Sequence, residues 1–199
     1  MDGKLIVFEG IDKSGKKTQA TLLSKYLNKK GINTIYTEEP NPKNEIGILI
    51  KKWLGKKIEI KSGECIALLY TADRYEHLKN IIIPNLEAGN VVICDRYFYS
   101  TIAYESALFG VDEKWIREMN RFVIKPDVVI LIDIKPEISL KRKRSRPNDR
   151  FEKLEKLNKV RKYYLDLAKK ENFFIVDGDR SKKEVFEDVK RIVEKVLRI

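Results

Sequence analysis

The sequence predicts an α/β fold in which helices flank a five-stranded parallel sheet. Five short runs rich in Val, Ile and Phe show little alternation of polar and apolar residues, as is typical of strands covered on both faces. Amphipathic stretches lie between these runs, and strands that alternate with helices favour a parallel sheet with right-handed crossovers. The predicted strands are residues 4–9, 32–37, 91–94, 127–133 and 173–176.

Helical patterns fill the connections between the predicted strands. The helix after the first strand carries Ala20, Leu23 and Leu27 on one face. The last helix follows Ser181, which forms a predicted capping box with Glu184. Sheets of this kind bind ligands beyond the C-terminal ends of their strands, so we expect the functional residues directly after the strands.

Length and composition limit the classes of function. With 199 residues, one domain covering 1–199 is expected. Hydrophobic residues make up 43% and charged residues 36%, which excludes a disordered or collagen-like chain. No apolar run approaches the roughly 20 residues of a membrane helix, and the N-terminus lacks a signal-peptide pattern. We therefore expect no membrane partner.

The cysteines and the net charge bear on location and partners. Cys65 and Cys94 have neither CxxC spacing nor a Cys/His cluster around them. A disulfide framework or a structural zinc site is therefore not expected, which suits a reducing cytoplasm. The formal charge of +11 fits nucleic acid, an anionic membrane or a small polyphosphate, and composition does not choose among them.

A glycine-rich segment directly follows the first strand. It contains the pattern G-x-x-x-x-G-K between a strand and a helix, the context of a phosphate-binding P-loop. The backbone N–H groups and the helix N-terminus face the phosphates, and Lys16 reaches the β- and γ-phosphates. The residues predicted to bind the phosphates of ATP are Gly10, Ile11, Asp12, Lys13, Ser14, Gly15, Lys16, Lys17 and Thr18.

The position after the loop lysine departs from the full pattern, which has Ser or Thr there to hold Mg²⁺. Lys17 occupies it, and Thr18 comes one place late, about 100° around the helix. Either the site is degenerate, or Mg²⁺ is held through water and other carboxylates. Asp95, at the end of the third strand, is the candidate to bind such a water, although Asp is also common as a helix N-cap.

Four segments, in order, resemble motifs of the thymidylate kinase family, a group of nucleoside monophosphate kinases. The phosphate loop is similar to the family's F-E-G-x-[DE]-x-x-G-K-x-T, and residues 69–74 are similar to L-F-x-A-[DN]-R. Residues 95–104 are similar to D-R-[YHF]-x-x-S-x-x-A-Y, and residues 141–150 look like the family's short lid. The resemblance implies transfer of the γ-phosphoryl group of ATP to dTMP, and it implies a homodimer.

The resemblance also implies which side chains bind dTMP. Tyr70 would stack on the thymine ring, and Arg74 would donate to a carbonyl of the base. Arg96 would hold the monophosphate. Asp12 would accept a hydrogen bond from the sugar 3′-hydroxyl, while Tyr104 would leave no room for a 2′-hydroxyl. The residues implied for the dTMP site are Asp12, Tyr70, Arg74, Arg96, Ser100 and Tyr104.

The charges that assist transfer are expected from the phosphate loop and the lid. Residues 141–150 hold six basic residues and one acidic residue, and cations aimed at the transferring group stabilise its transition state. Arg146 is the first candidate among the lid arginines, and Lys13 stands where some members of the family have a catalytic Arg. The predicted catalytic residues are Lys16, Asp95, Arg146, Arg142, Arg144 and Lys13.

Another departure concerns the arginine that the family has before its Glu-Pro pair. Glu38 stands there in this chain, and Lys43 is a candidate substitute for the lost phosphate contact. The alternatives are a kinase for another monophosphate such as dUMP or AMP, a phosphate-loop protein without transfer activity, and a non-catalytic nucleic-acid-binding module. The last leaves the phosphate loop unexplained, so no nucleic-acid partner is expected.

Overall fold

The computed structural model describes residues 3–142, 150–151 and 153–199. Its sheet has five parallel strands in the order β2-β3-β1-β4-β5, which confirms the predicted fold class. Each strand lies within two residues of its predicted bounds. The strands are β1 (Lys4–Glu9), β2 (Thr34–Glu38), β3 (Val91–Asp95), β4 (Val128–Asp133) and β5 (Phe174–Asp177).

Helices occupy the connections between the strands. The α-helices in the described ranges are α1 (Lys16–Lys29), α2 (Glu45–Leu54), α3 (Gly63–His77), α4 (Ile83–Glu87), α5 (Phe98–Thr101), α6 (Ala107–Phe109), α7 (Glu113–Met119), α8 (Pro136–Lys141), α9 (Leu154–Glu171) and α10 (Lys182–Leu197). Two π-helical turns, Leu78–Ile82 and Ile102–Ser106, continue α3 and α5. Among these described helices, none has both the length and the hydrophobicity that crossing a bilayer requires.

Side chains of the sheet alternate between two apolar cores, one on each face. In β1, Leu5 and Val7 join the core on one face, while Ile6 and Phe8 join the core on the other. Successive side chains of a strand point to opposite faces, so strands buried on both sides carry apolar residues at every position. This double burial explains why the sequence shows apolar runs without alternation.

The helix ends follow the sequence signals. The last helix begins with the predicted capping box, in which Ser181 accepts from the backbone N–H of Glu184 and the Glu184 carboxylate accepts from the backbone N–H of Ser181. The first helix begins differently, because Gly15 at its N-cap offers no side chain. Its first N–H groups therefore receive no side-chain cap and remain directed at the phosphate loop.

The connection from β2 to α2 depends on a close approach of two backbones. Gly47, in the first turn of α2, lies so near Asn41 that a Cβ atom at this glycine would be 1.8 Å from the Asn41 carbonyl oxygen. The backbone N–H of Asn41 in turn donates to Asp73 of α3 over 2.9 Å. Any side chain at position 47 would push this connection away from α3.

We expect Gly47→Ala to lower the free energy of unfolding by about 2–3 kcal/mol, because the added methyl group forces backbone shifts. Gly55→Ala is the matched control, since a Cβ there would be 3.3 Å from the nearest oxygen, and its effect should stay within about 1 kcal/mol. Urea unfolding curves of the two variants measure the difference. Equal losses of stability would contradict the close approach at Gly47.

Candidate functional site

The predicted functional residues gather at the C-terminal edge of the sheet. β1 ends at Glu9, β3 ends at Asp95, and the loop between β1 and α1 lies across both strand ends. The loop has left-handed backbone angles at Gly10, Lys13 and Gly15, with φ of 140°, 60° and 108°. A Cβ at Gly10 would also lie 2.5 Å from a backbone oxygen of β4, so glycine is required there on both grounds.

Lys16 is buried within the phosphate loop. Its Nζ donates to the carbonyl oxygens of Gly10, over 3.0 Å, and Ile11, over 2.9 Å. Burial and the positive charge of Arg96 lower the pKa of Lys16 to about 8, although the carboxylates of Asp95, Asp12 and Glu9 act in the opposite direction. The ammonium thus lies in the curve of the loop, where the phosphates of a nucleotide would meet it.

Asp95 lies beside this lysine and is almost fully buried. Burial raises the pKa of Asp95, and the charges of Lys16 and Arg96 partly offset that effect. Its Oδ1 is buried and has no hydrogen-bond partner in the described part of the chain. A buried carboxylate oxygen without a donor fits a cation or a cation-bound water, so the residues present suit the Mg²⁺ predicted for this place.

The unusual Lys17 points away from the phosphate loop. Its Nζ forms an ion pair with Glu38 of β2 over 3.1 Å, and Lys51 of α2 contacts the other oxygen of the same carboxylate over 3.2 Å. Burial would raise the pKa of Glu38, but the hydrogen bonds and charges of the two lysines hold it below its ordinary value. Glu38 is therefore paired with two lysines, at the position where the family has one arginine. Of these lysines, Lys51 belongs to no sequence motif. The predicted substitute, Lys43, is exposed.

Arg96 joins the end of β3 to the phosphate loop. It adopts a left-handed backbone conformation, with φ of 74°, and its guanidinium donates to Asp12 and to the hydroxyl oxygens of Ser100 and Tyr104. Burial alone would raise the pKa of Asp12, but the charges of Arg96 and Lys16 and the Tyr104 hydrogen bond lower it. Four residues predicted for the dTMP site are therefore in direct contact.

Glu9, the last residue of β1, fixes this cluster through hydrogen bonds. Its fully buried carboxylate accepts from the backbone N–H of Tyr97 over 2.9 Å, from the Ser100 hydroxyl over 2.6 Å and from the Tyr164 hydroxyl over 2.9 Å. Burial raises the pKa of Glu9, and these hydrogen bonds act against that shift. In the sequence, only the F-E-G of the loop motif indicates that Glu9 is part of the site. No motif around Tyr164 indicates that it contacts the site.

A second buried network surrounds Arg74. Its guanidinium donates to Glu39 over 2.8 Å, to Asn120 over 2.8 Å and to Thr101 over 3.0 Å. His77 contacts the other oxygen of Glu39 over 3.2 Å. Arg74 is thus fixed by partners distant in sequence, with its guanidinium at the wall of a cavity.

The cavity encloses about 470 Å³ of empty space, part of which is open to solvent, and all six residues predicted for dTMP line it. Tyr70 is half-buried in its wall, which also contains the ion pairs Asp12–Arg96 and Glu39–Arg74. The lining residues are Asp12, Glu39, Pro40, Leu54, Tyr70, Arg74, Arg96, Tyr97, Ser100, Thr101, Tyr104, Glu105 and Phe151.

The lid is described only at its two ends. Arg142 donates to the carbonyl oxygens of Ser14 over 2.9 Å and Gly178 over 2.8 Å, so its guanidinium is tied to the backbone of the phosphate loop. Arg144 and Arg146 lie outside the described residues. At the far end, Phe151 belongs to the cavity wall and packs against Trp53.

The chain is similar to known proteins over almost its whole length. A family model described as thymidylate kinase matches residues 8–189. A protein from Pyrococcus abyssi named probable thymidylate kinase is 42% identical over 99% of this chain and 98% of its own length. Probable thymidylate kinase 1 from Saccharolobus solfataricus is 41% identical over 98% of both chains. A solved structure of thymidylate kinase from Candida albicans has a TM-score of 0.87 at 29% identity, covering 97% of this chain and 92% of that one.

We expect Lys16→Met to remove a pH dependence of stability in the nucleotide-free protein. Folded Lys16 loses its proton near pH 8, whereas the unfolded chain keeps it up to about 10.5. Between these values the unfolded state binds more protons, so the free energy of unfolding of the wild type rises with pH relative to the variant. The rise is at most about 3 kcal/mol.

Urea unfolding at several pH values between about 7 and 10.5 measures this rise, the upper limit being the ordinary lysine value. Lys17→Met is the matched control, because it removes a neighbouring lysine that is exposed instead of buried. Parallel profiles for the wild type and Lys16→Met would contradict the depressed pKa of Lys16.

Proposed function

Because this chain belongs to the thymidylate kinase family, we propose residue roles for the reaction of that family at the site described above. The enzyme transfers the γ-phosphoryl group of ATP to dTMP and releases dTDP and ADP. The observation that supports the roles is the contact between the two halves of the site. Arg96 hydrogen-bonds the carboxylate of Asp12 and the carbonyl oxygen of Gly10, so the dTMP cavity opens onto the phosphate loop.

The donor ATP binds through the loop of residues 10–18. Its phosphates accept from the loop N–H groups and from Lys16, whose ammonium exchanges two backbone carbonyl oxygens for phosphate oxygens. Lys17 contributes through its backbone, since its side chain is paired with Glu38. Thr18 is exposed on the first turn of α1.

Asp95 would hold Mg²⁺ through a bound water. The support is the buried Oδ1 of this carboxylate, which has no partner among the described residues. When bound, Mg²⁺ supplies positive charge against the β- and γ-phosphates. Lys17 cannot ligate a cation, whereas the carboxylate at the end of β3 is suited to the task.

The acceptor dTMP lies in the cavity. Arg96 binds its monophosphate, Asp12 accepts from the 3′-hydroxyl, and Tyr104 closes the space beside C2′ of the sugar. Tyr70 stacks on the base and Arg74 donates to a base carbonyl. Ser100 keeps Arg96 in place through its hydroxyl. This arrangement orients the two substrates and neutralises their mutual repulsion.

Transfer depends on positioned cations rather than on covalent chemistry of the protein. Lys16 and the lid arginine Arg146 neutralise the charge on the transferring group, assisted by Arg144 and Lys13. Arg142 serves chiefly to fix the start of the lid, because its guanidinium already binds two carbonyl oxygens at the phosphate loop. Exclusion of water from the site is needed, because water would otherwise accept the phosphoryl group.

We also propose that the protein is a homodimer and is located in the cytoplasm. The exposed apolar side chains Leu49 of α2 and Leu68 of α3 stand on helices that pack together, and a dimer formed by helix packing would cover such residues. The free thiols of Cys65 and Cys94 are consistent with the reducing compartment of this proposal.

A panel of acceptors tests the function. We expect ADP release with ATP, Mg²⁺ and dTMP, and slower turnover with dUMP, since one methyl group gives only modest discrimination. AMP should be a poor acceptor, because its ribose carries a 2′-hydroxyl and its base lacks the carbonyl that Arg74 requires. Mass spectrometry of the products identifies dTDP. Absence of ADP above background with every acceptor would contradict transfer activity.

Asp95→Asn tests the metal site. We expect the Mg²⁺ concentration for half-maximal rate to rise about 10–100-fold, because a neutral amide holds the water of a cation less strongly than a carboxylate. Asp133→Asn is the matched control, since Asp133 ends β4 but is ion-paired with Arg161 over 2.7 Å. Magnesium titrations of the rate compare the variants. An unchanged requirement in Asp95→Asn would refute the role of Asp95.

A further inference from the structure

A histidine, a cysteine and a glutamate meet in the interior of the protein, and the roles assigned above do not use this cluster. Glu39 follows the end of β2, His77 is the last residue of α3, and Cys94 lies in β3. All three side chains are buried. One potential ligand atom from each residue lies within 4.8 Å of the other two. The fold therefore brings together three types of metal ligand that are far apart in the sequence.

The spacing of these atoms is close to that of a coordination sphere. Around a tetrahedral Zn²⁺ with bonds of about 2.0–2.3 Å, neighbouring ligand atoms are about 3.3–3.6 Å apart. The Nδ1 of His77 is already 3.2 Å from the Oε1 of Glu39. The thiol of Cys94 lies within 4.8 Å of a ligand atom of each. A shift of the cysteine side chain by at most about 1.5 Å completes the three-sided arrangement.

The imidazole and the carboxylate also have the outer partners that are typical of metal ligands. Such partners orient a ligand and fix the tautomer of a histidine. The Nε2 of His77 is 2.5 Å from the hydroxyl oxygen of Thr37, and a proton on Nε2 leaves the lone pair of Nδ1 for a cation. The Oε2 of Glu39 accepts from Arg74 over 2.8 Å. Each outer partner therefore binds the atom that faces away from the cluster.

The charges around the thiol favour a cation. Burial and the negative charge of Glu39 raise the pKa of Cys94 well above its ordinary value. The carboxylates of Asp95 and Glu9 act in the same direction, whereas Arg74 acts against them. Negative charges that oppose a thiolate attract a cation to the same place, and a bound cation replaces the proton of the thiol.

The dTMP cavity connects this cluster with solvent. Glu39 lines the cavity next to Arg74 and Tyr97, and part of the cavity is open to solvent. A cation can enter by this route. Three protein ligands leave the fourth position of a tetrahedral sphere to a water molecule, which the cavity can supply.

We propose that Glu39, His77 and Cys94 form a site for a soft divalent cation of the Zn²⁺ class, separate from the Mg²⁺ site at Asp95. Thiolate and imidazole ligands select such cations, whereas Mg²⁺ takes a sphere of oxygen atoms. On binding, the S–H bond of the cysteine breaks, a bond from sulfur to the cation forms, and the proton leaves to solvent without any change of oxidation state. The cation joins the end of β2 to α3 and β3 and so stabilises the folded chain.

Co²⁺ is the probe for this site, because it replaces Zn²⁺ and its bond to a thiolate absorbs near-ultraviolet light. Chelator-treated protein without an affinity tag is titrated with CoCl₂ in excess Mg²⁺, both in the native state and during refolding from urea. We expect equimolar binding of Co²⁺, a thiolate absorption band, and loss of that band when Zn²⁺ is added. The measurement needs neither ATP nor dTMP, so it is independent of the proposed function.

Cys94→Ser and Cys65→Ser are the matched pair of variants. The chain has two cysteines, and Cys65 is exposed at the start of α3. The absorption band should disappear in Cys94→Ser and remain in Cys65→Ser. His77 is the single histidine of the chain, so His77→Gln removes the imidazole ligand. The affinity of this variant for Co²⁺ should fall at least about tenfold.

Thr37→Val tests the outer partner without changing a ligand. The variant keeps the shape of the side chain and removes the hydroxyl group that contacts His77, so its affinity for Co²⁺ should fall about 10–100-fold. Circular dichroism checks the folding of every variant. Zn²⁺ should raise the urea midpoint of unfolding of the wild type and of Cys65→Ser, and leave that of Cys94→Ser unchanged.

The wild type decides the proposal even where a variant does not fold. Absence of the thiolate band from both the native and the refolded wild type would overturn it. A band of equal strength in Cys94→Ser would do the same, as would an equal effect of Zn²⁺ on the unfolding of the two cysteine variants. Unchanged Co²⁺ affinity in His77→Gln would remove the imidazole from the site and contradict the proposed ligand set.

Discussion

The buried carboxylate of Glu9 is the group on which the rest of the site depends. It accepts hydrogen bonds from the turn after β3 and from Tyr164 of α9, so three parts of the chain meet at one strand end. Ser100 contacts both Glu9 and Arg96, which fixes the guanidinium over the phosphate loop. A buried anion is tolerated only when it is fully hydrogen-bonded, and the donors that satisfy Glu9 are also those that orient the site.

The positions of the lysines and arginines in the structure show how part of the net charge of +11 is used. Lys16, Arg74 and Arg96 are all buried or half-buried at the sheet edge, each with an acidic partner or a carbonyl oxygen. Glu38 holds Lys17 and Lys51 in the same way. The site is thus assembled from cations kept in position by local anions, which suits the binding of two phosphorylated substrates better than a diffuse basic surface does.

Sequence patterns predicted the sheet, the phosphate loop and the capping box of α10, because each depends on residues that are neighbours in the chain. They could not predict Glu39 as the partner of Arg74, since the pair is separated by 35 residues and forms only through packing of α3 on the β2–α2 connection. Tyr164 and Lys51 were missed for the same reason. Glu105 adjoins a recognisable motif, but its lack of partners is a property of the folded cavity.

The hydrogen bond from Tyr164 to Glu9 also bears on synthesis of the protein. The two residues are 155 positions apart, so the first strand is made long before the helix that completes its surroundings. Until α9 has left the ribosome, the carboxylate at the end of β1 lacks one of the hydrogen-bond donors that it has in the folded protein. Truncation before that helix therefore removes a partner from the centre of the site, although every residue of the phosphate loop and of the 95–104 motif would still be present.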